Sequence, residues 1–183
     1  KEQKIKAIIP VHMAGLACDM EPILELGNAY DLKIIEDAAH ALPTSYKGKN
    51  IGSLPSFSSV FSFYVTKPLC TGEGGMICTS SADVANQIKT LRLHGINRDV
   101  WDRYTNPSSS WKYDVIATGF KYNFPDILAS IGLHQLKKIH CFMKRREEIA
   151  RFYDQELRNS GLVLPQHAPL GDLHSWHQIG RAH

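Results

Sequence analysis

Two nearly continuous apolar runs near the start of the chain predict buried parallel strands. The first covers residues 5–12 ("IKAIIPVH") and the second covers residues 32–36 ("LKIIE"). Continuous rather than alternating hydrophobicity is typical of strands that are covered on both faces. Between them, Asp19 is a candidate N-cap for a short helix that ends before Gly27. A strand, a helix and a strand in about 30 residues form a βαβ unit, which predicts an α/β fold.

Two further apolar runs, at residues 57–64 ("FSSVFSFY") and 74–80 ("GGMICTS"), predict a third and a fourth strand. The loop between them is too short to hold a crossover helix, so we expect these strands to be antiparallel or poorly paired. Ahead of them, residues 41–55 form an irregular segment in which "KGKNIG" indicates a turn.

Two helices are predicted in the rest of the chain. The first has Ser80 or Ser81 as its cap and stops at Gly95. Asn123 and Pro125 open the second, a long helix whose apolar positions recur close to the helical period. Those positions are Leu128, Ile131, Leu136, Ile139, Met143, Ile149, Phe152 and Leu157.

The segments outside these elements suggest the domain organisation. Residues 96–119 are polar, aromatic and turn-rich, and long loops of this kind are often functional or partner-binding. Residues 161–165 ("GLVLP") predict the start of a strand in a second domain. We therefore expect a larger domain over residues 1–158 and the beginning of a smaller one over residues 159–183.

Composition excludes several classes of protein. The 183 residues are 43% hydrophobic and 21% charged, which is ordinary for a globular domain. A net charge of +3 is too small to suggest a nucleic-acid or membrane-surface protein. No apolar run approaches the roughly 20 residues of a membrane span, and the charged opening "KEQKIKAIIP" is unlike a signal peptide.

The cysteine and histidine spacings do not indicate disulfides or a metal centre. The four cysteines form no C-x-x-C pair, so we expect reduced thiols in a cytoplasmic protein; they are Cys18, Cys70, Cys78 and Cys141. His174 and His177 form an H-x-x-H pair, but no further ligands occur at metal spacing, so no metal is expected.

Chemistry-bearing residues follow two of the predicted strands. Asp37 ends the run "LKIIED", where a partly desolvated carboxylate needs a cationic partner. A protonated pyridine nitrogen is one candidate, and a helix N-terminus or an arginine is the other. His40 lies three residues further on and could hydrogen-bond a ligand hydroxyl, although a lone histidine is more often a satisfied core residue.

Ser62 and Lys67 lie at the end of the third strand. Ser62 could donate to a phosphate, while most strand serines bond locally. Pro68 restricts the backbone of Lys67 to extended geometry. A desolvated lysine is a nucleophile toward aldehydes, but spacing alone favours a surface charge.

The glycine-rich "TGEGG" after Lys67 permits positive φ and close backbone approach at Gly72, Gly74 and Gly75. Neither the Walker pattern nor G-x-G-x-x-G is present, so a nucleotide-phosphate loop is not supported. Taken together, the candidates offer an acid for a ring nitrogen, a hydroxyl for a phosphate and a lysine for an aldehyde. Pyridoxal 5′-phosphate (PLP) requires these three contacts.

Five motifs also occur in the order of a known family, the DegT/DnrJ/EryC1/StrS sugar-nucleotide aminotransferases, which this sequence resembles. They are "PVHMAG", "EDAAHALPTSYKGKNIGS", "FSFYVTKPLCTGEGGMI", "LRLHGINRD" and "GFKYNFPDILASIGLHQLKKI". The resemblance implies the C-terminal half of a fold type I PLP-transferase large domain, with a mainly parallel sheet and flanking helices. Within the family, "HGI-R", "GFKYN" and "HSWH" look most like the subgroup that makes 4-amino sugars.

The resemblance also implies roles for five residues. Lys67 matches the lysine that forms the aldimine with PLP and moves protons, and Asp37 matches the acid that pairs with the pyridinium nitrogen. His40 matches the position that contacts the ring 3-hydroxyl, and Ser62 matches the phosphate-binding serine. Asn123 matches an asparagine that reaches the phosphate in the partner subunit's site. Relatives with histidine in place of the lysine act as dehydratases, and Lys67 argues against that branch.

The family's function is transfer of an amino group, with glutamate as the expected donor, to a keto-sugar nucleotide. The resemblance implies a homodimer with a shared site. Family chains are about twice this length, so the phosphate cradle, the ring-stacking aromatic and most of the small domain are expected to lie outside this sequence. The alternative is a truncated, non-catalytic relative that acts as an interaction or vestigial domain.

Overall fold

The computed structural model describes residues 5–97 and 113–179. Its strands are β1 (Ala7–Ile8), β2 (Lys33–Asp37), β3 (Ser45–Tyr46), β4 (Lys49–Asn50), β5 (Ser58–Ser62) and β6 (Gly75–Cys78). Its helices are α1 (Met20–Ala29), α2 (Ala82–Leu91), α3 (Asp126–Leu136) and α4 (Ile139–Leu157), with a 3-10 turn at Met13–Gly15.

These elements belong to two compact units. One lies within Lys1–Ser80 and Asp126–His183, and the other lies within Ser81–Pro125. The boundary expected between residues 158 and 159, which separates the larger domain from the start of the smaller one, stays a prediction.

A four-stranded sheet in the order β1-β2-β5-β6 forms the centre of the first unit. Strands β1, β2 and β5 are parallel, and β6 pairs with β5 in the antiparallel direction. The predicted α/β fold with a mainly parallel sheet is therefore confirmed, as is the antiparallel fourth strand. The "KGKNIG" turn joins the short hairpin of β3 and β4.

The first strand is shorter than the predicted residues 5–12. It ends at Ile8, and Val11 makes only an isolated bridge to Asp37. Pro10 has no N–H to donate, which interrupts the ladder, although its carbonyl still accepts from the N–H of Asp37 at 2.9 Å.

Helix α1 continues through Gly27 to Ala29, so the predicted stop before Gly27 is wrong. A Cβ at Gly27 would lie 2.8 Å from Ile34, which is 4% exposed in the core. The glycine therefore allows α1 to pack closely on β2. Asp19 occupies the N-cap position but makes no capping bond, because its carboxylate accepts from the hydroxyl of Tyr46.

Two predictions for the second half of the chain are wrong. The long helix is broken between α3 and α4, where the N–H of Lys138 bonds to the carbonyl of Gln135 in a tighter i to i−3 turn. This turn brings Ile139 into the core, 5% exposed. Residues 161–165 form no strand because they have no strand partner among the described residues, and Val163 is fully exposed.

The second unit contains α2, whose N-cap is Ser81, as predicted. Ser81 Oγ accepts a hydrogen bond from the N–H of Val84 at 3.3 Å. The helix ends at Leu91, and Gly95 follows with φ +69°. Most of the segment predicted as a functional loop, residues 98–112, lies outside the described residues.

No helix formed by residues 5–97 and 113–179 is long and apolar enough to cross a membrane. All four cysteines are free thiols, as predicted.

Candidate active site

Asp37 and Ser62 are the last residues of two paired parallel strands. Asp37 ends β2 and lies opposite Val60 of β5, and Ser62 ends β5 two residues later. Because the carboxyl ends of parallel strands share one edge of a sheet, both side chains start from that edge. This is the placement that the sequence predicted.

The main chain of Asp37 is fixed on both sides. Its N–H donates to Pro10, and its carbonyl accepts from the N–H of His12 at 3.1 Å. The carboxylate oxygen Oδ1 accepts from the N–H of Ala39 at 3.1 Å. Within the described part of the chain, the other oxygen, Oδ2, has no hydrogen-bond partner, so it can receive a cationic donor.

His40 is held as a neutral imidazole with a defined tautomer. Its Nδ1 accepts a hydrogen bond from the N–H of Ala14 at 3.3 Å, so the ring proton lies on Nε2, which can donate to a ligand. Burial lowers the pKa of His40, and the positive charge of Lys67 lowers it further, against a smaller opposing effect of Asp37. Lys67 and Asp37 therefore both lie within electrostatic range of His40.

Lys67 belongs to a loop that is tied to the sheet through its main chain. Its N–H donates to the carbonyl of Tyr64 at 2.9 Å, and the following Leu69 is buried at 4% exposure. Further along, the carbonyl of Gly74 accepts from the N–H of Phe63 at 2.8 Å, which closes the loop. The side chain of Lys67 is half-buried. Its Nζ forms no ion pair or hydrogen bond with the residues that the structure describes.

The glycines of the loop are required where it rejoins the sheet. A Cβ at Gly75 would lie 2.7 Å from the carbonyl oxygen of Phe61, and Gly72 has φ +86°. The sequence predicted such close backbone approach.

The two residues predicted to contact the phosphate, Ser62 and Asn123, belong to different compact units. Ser62 Oγ accepts from the N–H of Tyr64 at 3.3 Å, which leaves its hydroxyl proton available. Asn123 belongs to the second unit, where its side-chain oxygen accepts from Lys121 Nζ. Its role in a partner's site stays a prediction.

Sequence reasoning missed the contribution of residues 174–177, which we name the HSWH segment. His177 stacks on His40, with ring centroids 4.2 Å apart and planes inclined by 26°. Ser175 is fully buried and donates through Oγ to the carbonyl of His40. His174 stacks on the ring of Trp176 at 4.0 Å. The sequence signals here are the H-x-x-H spacing and the resemblance of "HSWH" to a family subgroup, and neither indicates a contact with His40.

No group of three or more His, Cys, Asp or Glu side chains in residues 5–97 and 113–179 could hold a metal ion. The HSWH histidines are used in ring stacking instead.

A second feature missed in the sequence is a buried polar cluster under β2. His12 and Glu36 are both fully buried, and His12 Nε2 lies 2.9 Å from Glu36 Oε2. Nδ1 of His12 accepts from the N–H of Cys18 at 3.1 Å, so Nε2 carries the proton and donates it to Glu36. Burial alone raises the pKa of Glu36, but hydrogen bonds from His12, Ser56 and Ser59 outweigh it and lower the pKa. Glu36 is thus an ionised carboxylate with three donors, one position before Asp37.

Comparison with curated proteins identifies relatives over almost the whole chain. A protein from Methanocaldococcus jannaschii is 52% identical over 96% of this chain and 45% of its own length. The spore coat polysaccharide biosynthesis protein SpsC of Bacillus subtilis is 44% identical over 95% of this chain and 44% of its own length. The chain therefore spans a little under half the length of these relatives.

Solved structures of aminotransferases also resemble this chain over almost its whole length. Helicobacter pylori PseC, an aminotransferase involved in the biosynthesis of pseudoaminic acid, matches with a TM-score of 0.83 at 31% identity, over 94% of this chain and 44% of PseC. The PLP-form of a Streptococcus pneumoniae protein described as a sugar aminotransferase matches with a TM-score of 0.80 at 29% identity, over 94% of this chain and 46% of that one.

The sequence matches the family description "DegT/DnrJ/EryC1/StrS aminotransferase family" over residues 2–181. The match covers nearly the whole chain, the solved relatives share its fold, and His40 lies within electrostatic range of both Asp37 and Lys67. The chain belongs to the DegT/DnrJ/EryC1/StrS aminotransferase family.

Proposed function

We propose that this chain carries the lysine-bearing part of a PLP-dependent aminotransferase that moves an amino group from glutamate to a keto-sugar nucleotide. One observation carries the proposal: His40, which follows the carboxyl end of β2, lies within electrostatic range of both Lys67 and Asp37. Family membership supports the aminotransferase chemistry, and the names of SpsC and PseC support sugar substrates.

The donor and acceptor groups fit PLP. Oδ2 of Asp37 is an open acceptor for a protonated ring nitrogen, and Nε2–H of His40 is a donor for the ring oxygen. For the aldehyde, Lys67 presents an amine that forms no ion pair with any residue that the structure describes. The hydroxyl of Ser62 keeps its proton for a phosphate oxygen.

PLP, when bound, supplies an electron sink that stabilises negative charge on the carbon from which a proton is removed. Asp37 keeps the ring nitrogen protonated, since a carboxylate next to a pyridinium favours the charged form. His40 orients the ring by donating from Nε2. Lys67 Nζ would take the proton from the α-carbon of the donor amino acid and pass it to the cofactor, and in the second half-reaction it would move a proton from the cofactor to the sugar.

The assembly belongs to the same proposal. We place Asn123 in the phosphate region of a partner subunit's site in a homodimer. Apolar side chains such as Ile9 and Met13, 62% and 61% exposed, are consistent with a surface that other parts of the assembly cover. Four free thiols fit a cytoplasmic location.

Titration of the purified chain with PLP tests this function. We expect a visible absorption band that saturates with PLP and shifts when glutamate is added, as PLP becomes pyridoxamine phosphate. A nucleotide-linked keto-sugar should then restore the original band. The Lys67→Ala variant is the control and should give no such band. A wild-type chain that binds no PLP would contradict the proposal and would favour a non-catalytic relative.

A further inference from the structure

Two histidines from distant parts of the sequence share one stack in the candidate site. His40 follows β2, and His177 lies in the HSWH segment near the end of the described chain. Their ring centroids are 4.2 Å apart and their planes are inclined by 26°, so the two rings are stacked in direct contact. His40 would donate to PLP from Nε2, at the edge of its own ring, and His177 covers one face of that ring.

Ala14 holds both histidines from the Met13–Gly15 turn. Its N–H donates to Nδ1 of His40 at 3.3 Å, and its carbonyl accepts from the N–H of His177 at 3.0 Å. Ala14 reaches both partners with φ +58°, a strained conformation for a residue with a Cβ. One residue therefore fixes the His40 tautomer and the position of His177 at once.

The HSWH segment is itself anchored at several points. Arg146 of α4 donates to the carbonyl of Trp176 at 2.8 Å, and Ser175 bonds to the main chain of both Gly15 and His40. Trp176 is 3% exposed between the rings of His174 and His167. His177 is thus presented from a rigid support.

The ring nitrogen Nδ1 of His177 is buried and has no hydrogen-bond partner in the described part of the chain. A buried nitrogen without a hydrogen-bond partner costs stability. Hydrogen bonding through Nδ1 is therefore not the reason for a histidine at this position. Its contact with His40 is the interaction that the geometry provides.

We propose that His177 is a positioning residue of the cofactor site, which stacks on His40 and holds its Nε2–H toward the ligand. The inference rests on the proposed function, because it assigns a role toward PLP. The stack is favourable when the two rings do not both carry a positive charge, because like charges repel. Burial, then the charges of His40, Lys67 and Arg146, lower the pKa of His177 to about 4, so it is neutral at pH 7.

NMR of the chain without cofactor tests the stack directly. In protein with 15N-labelled histidine, long-range proton–nitrogen correlations report which ring nitrogen carries the proton. We expect His40 to be protonated on Nε2 alone in the wild type and in His177→Phe, which keeps an aromatic ring. In His177→Ala the ring of His40 loses its stacking partner and can turn out of the hydrogen bond from Ala14, so we expect a mixture of tautomers. His167→Ala is the matched control, since it removes another histidine ring of the same region, one that meets Trp176 edge-on, and should leave His40 unchanged.

PLP affinity supplies the second readout. Loss of one ring contact predicts that His177→Ala weakens PLP binding between about twofold and tenfold, with His177→Phe close to wild type. The proposal is overturned if His177→Ala keeps both the wild-type His40 tautomer and the wild-type PLP affinity. It is also overturned if His167→Ala changes the tautomer and the affinity as much as His177→Ala does. If the wild type binds no PLP, the proposed function fails, whereas the NMR comparison still decides the role of His177.

Discussion

Ser175 lies directly against Gly15, although the two residues are at opposite ends of the chain. A Cβ at Gly15 would lie 1.8 Å from Ser175 Oγ and 3.0 Å from the carbonyl oxygen of His40. The N–H of Ser175 donates to the carbonyl of Gly15 at 3.1 Å. The HSWH segment can therefore reach His40 only because residue 15 has no side chain.

We predict that Gly15→Ala destabilises the protein by about 2–5 kcal/mol, through backbone strain at φ +97° and overlap with Ser175. Urea unfolding measures this change. Gly48→Ala is the matched control, because Gly48 has φ +76° and nothing within 4 Å. It should lose only about 1–2 kcal/mol from the backbone. Equal losses in the two variants would show that the contact with Ser175 contributes nothing.

The buried cluster around Glu36 gives a second prediction. Glu36→Ala removes the acceptor of His12, Ser56 and Ser59 and leaves buried donors unpaired. We expect a loss of about 3–5 kcal/mol in the free energy of unfolding.

The control for Glu36 is Glu147→Ala. Glu147 forms an exposed ion pair with Arg151 at 2.7 Å, worth at most about 1 kcal/mol. Losses of similar size in both variants would contradict the importance of the buried cluster.

Replacing Asp37 by asparagine separates its charge from its structural role. The amide oxygen can still accept from the N–H of Ala39, so stability should stay near wild type. Without the negative charge, the conversion of bound PLP by glutamate should slow by about a hundredfold or more. Single-turnover absorbance measures this rate. Asp31→Asn, on the surface before β2, serves as the control. If Asp37→Asn and Asp31→Asn convert bound PLP at the same rate, the role of the Asp37 carboxylate is refuted.

The pH dependence of stability should reflect the HSWH histidines. Burial, followed by nearby positive charges, lowers the pKa of His174 and of His177 from 6.5 to about 4. The unfolded chain therefore binds protons near pH 6.5 that the folded chain does not bind. Their contribution to stability is complete above pH 6.5 and is lost as the pH falls toward 4.

Urea unfolding between pH 6.5 and 5, above most carboxylate titration, measures this effect. Each histidine contributes a slope of at most about 1.4 kcal/mol per pH unit. His177→Phe should reduce the slope, because it removes one of the histidines whose pKa is lowered in the folded chain. A slope that is flat in the wild type, or unchanged in the variant, would contradict the lowered pKa values.

The sheet could be predicted from the sequence because burial on both faces leaves a continuous apolar run. Strand β2 differs by one residue at each end from the predicted residues 32–36, and β5 lies inside the predicted residues 57–64. The errors occur where tertiary contacts override the local pattern. The long helix has a helical period throughout, yet it breaks before Ile139, which enters the core.

The site could be predicted where its residues follow strands. Asp37 and Ser62 were expected at the carboxyl edge and lie there. The stacking of His177 on His40 could not be predicted, because nothing near either histidine in the sequence indicates the other. The contact arises from the close approach at Gly15, which only the folded structure reveals.

Borohydride reduction tests the central claim, that Lys67 carries the cofactor. Reduction fixes a carbonyl cofactor on an amine as a stable secondary amine, which peptide mass mapping locates. After incubation of the chain with PLP, we predict a pyridoxyl group on the peptide that contains Lys67, and its loss in Lys67→Arg, which keeps the charge. An unmodified Lys67 peptide would contradict the claim that Lys67 carries the cofactor. Labelling that falls only on other lysines, and that stays the same in Lys67→Arg, would contradict it as well.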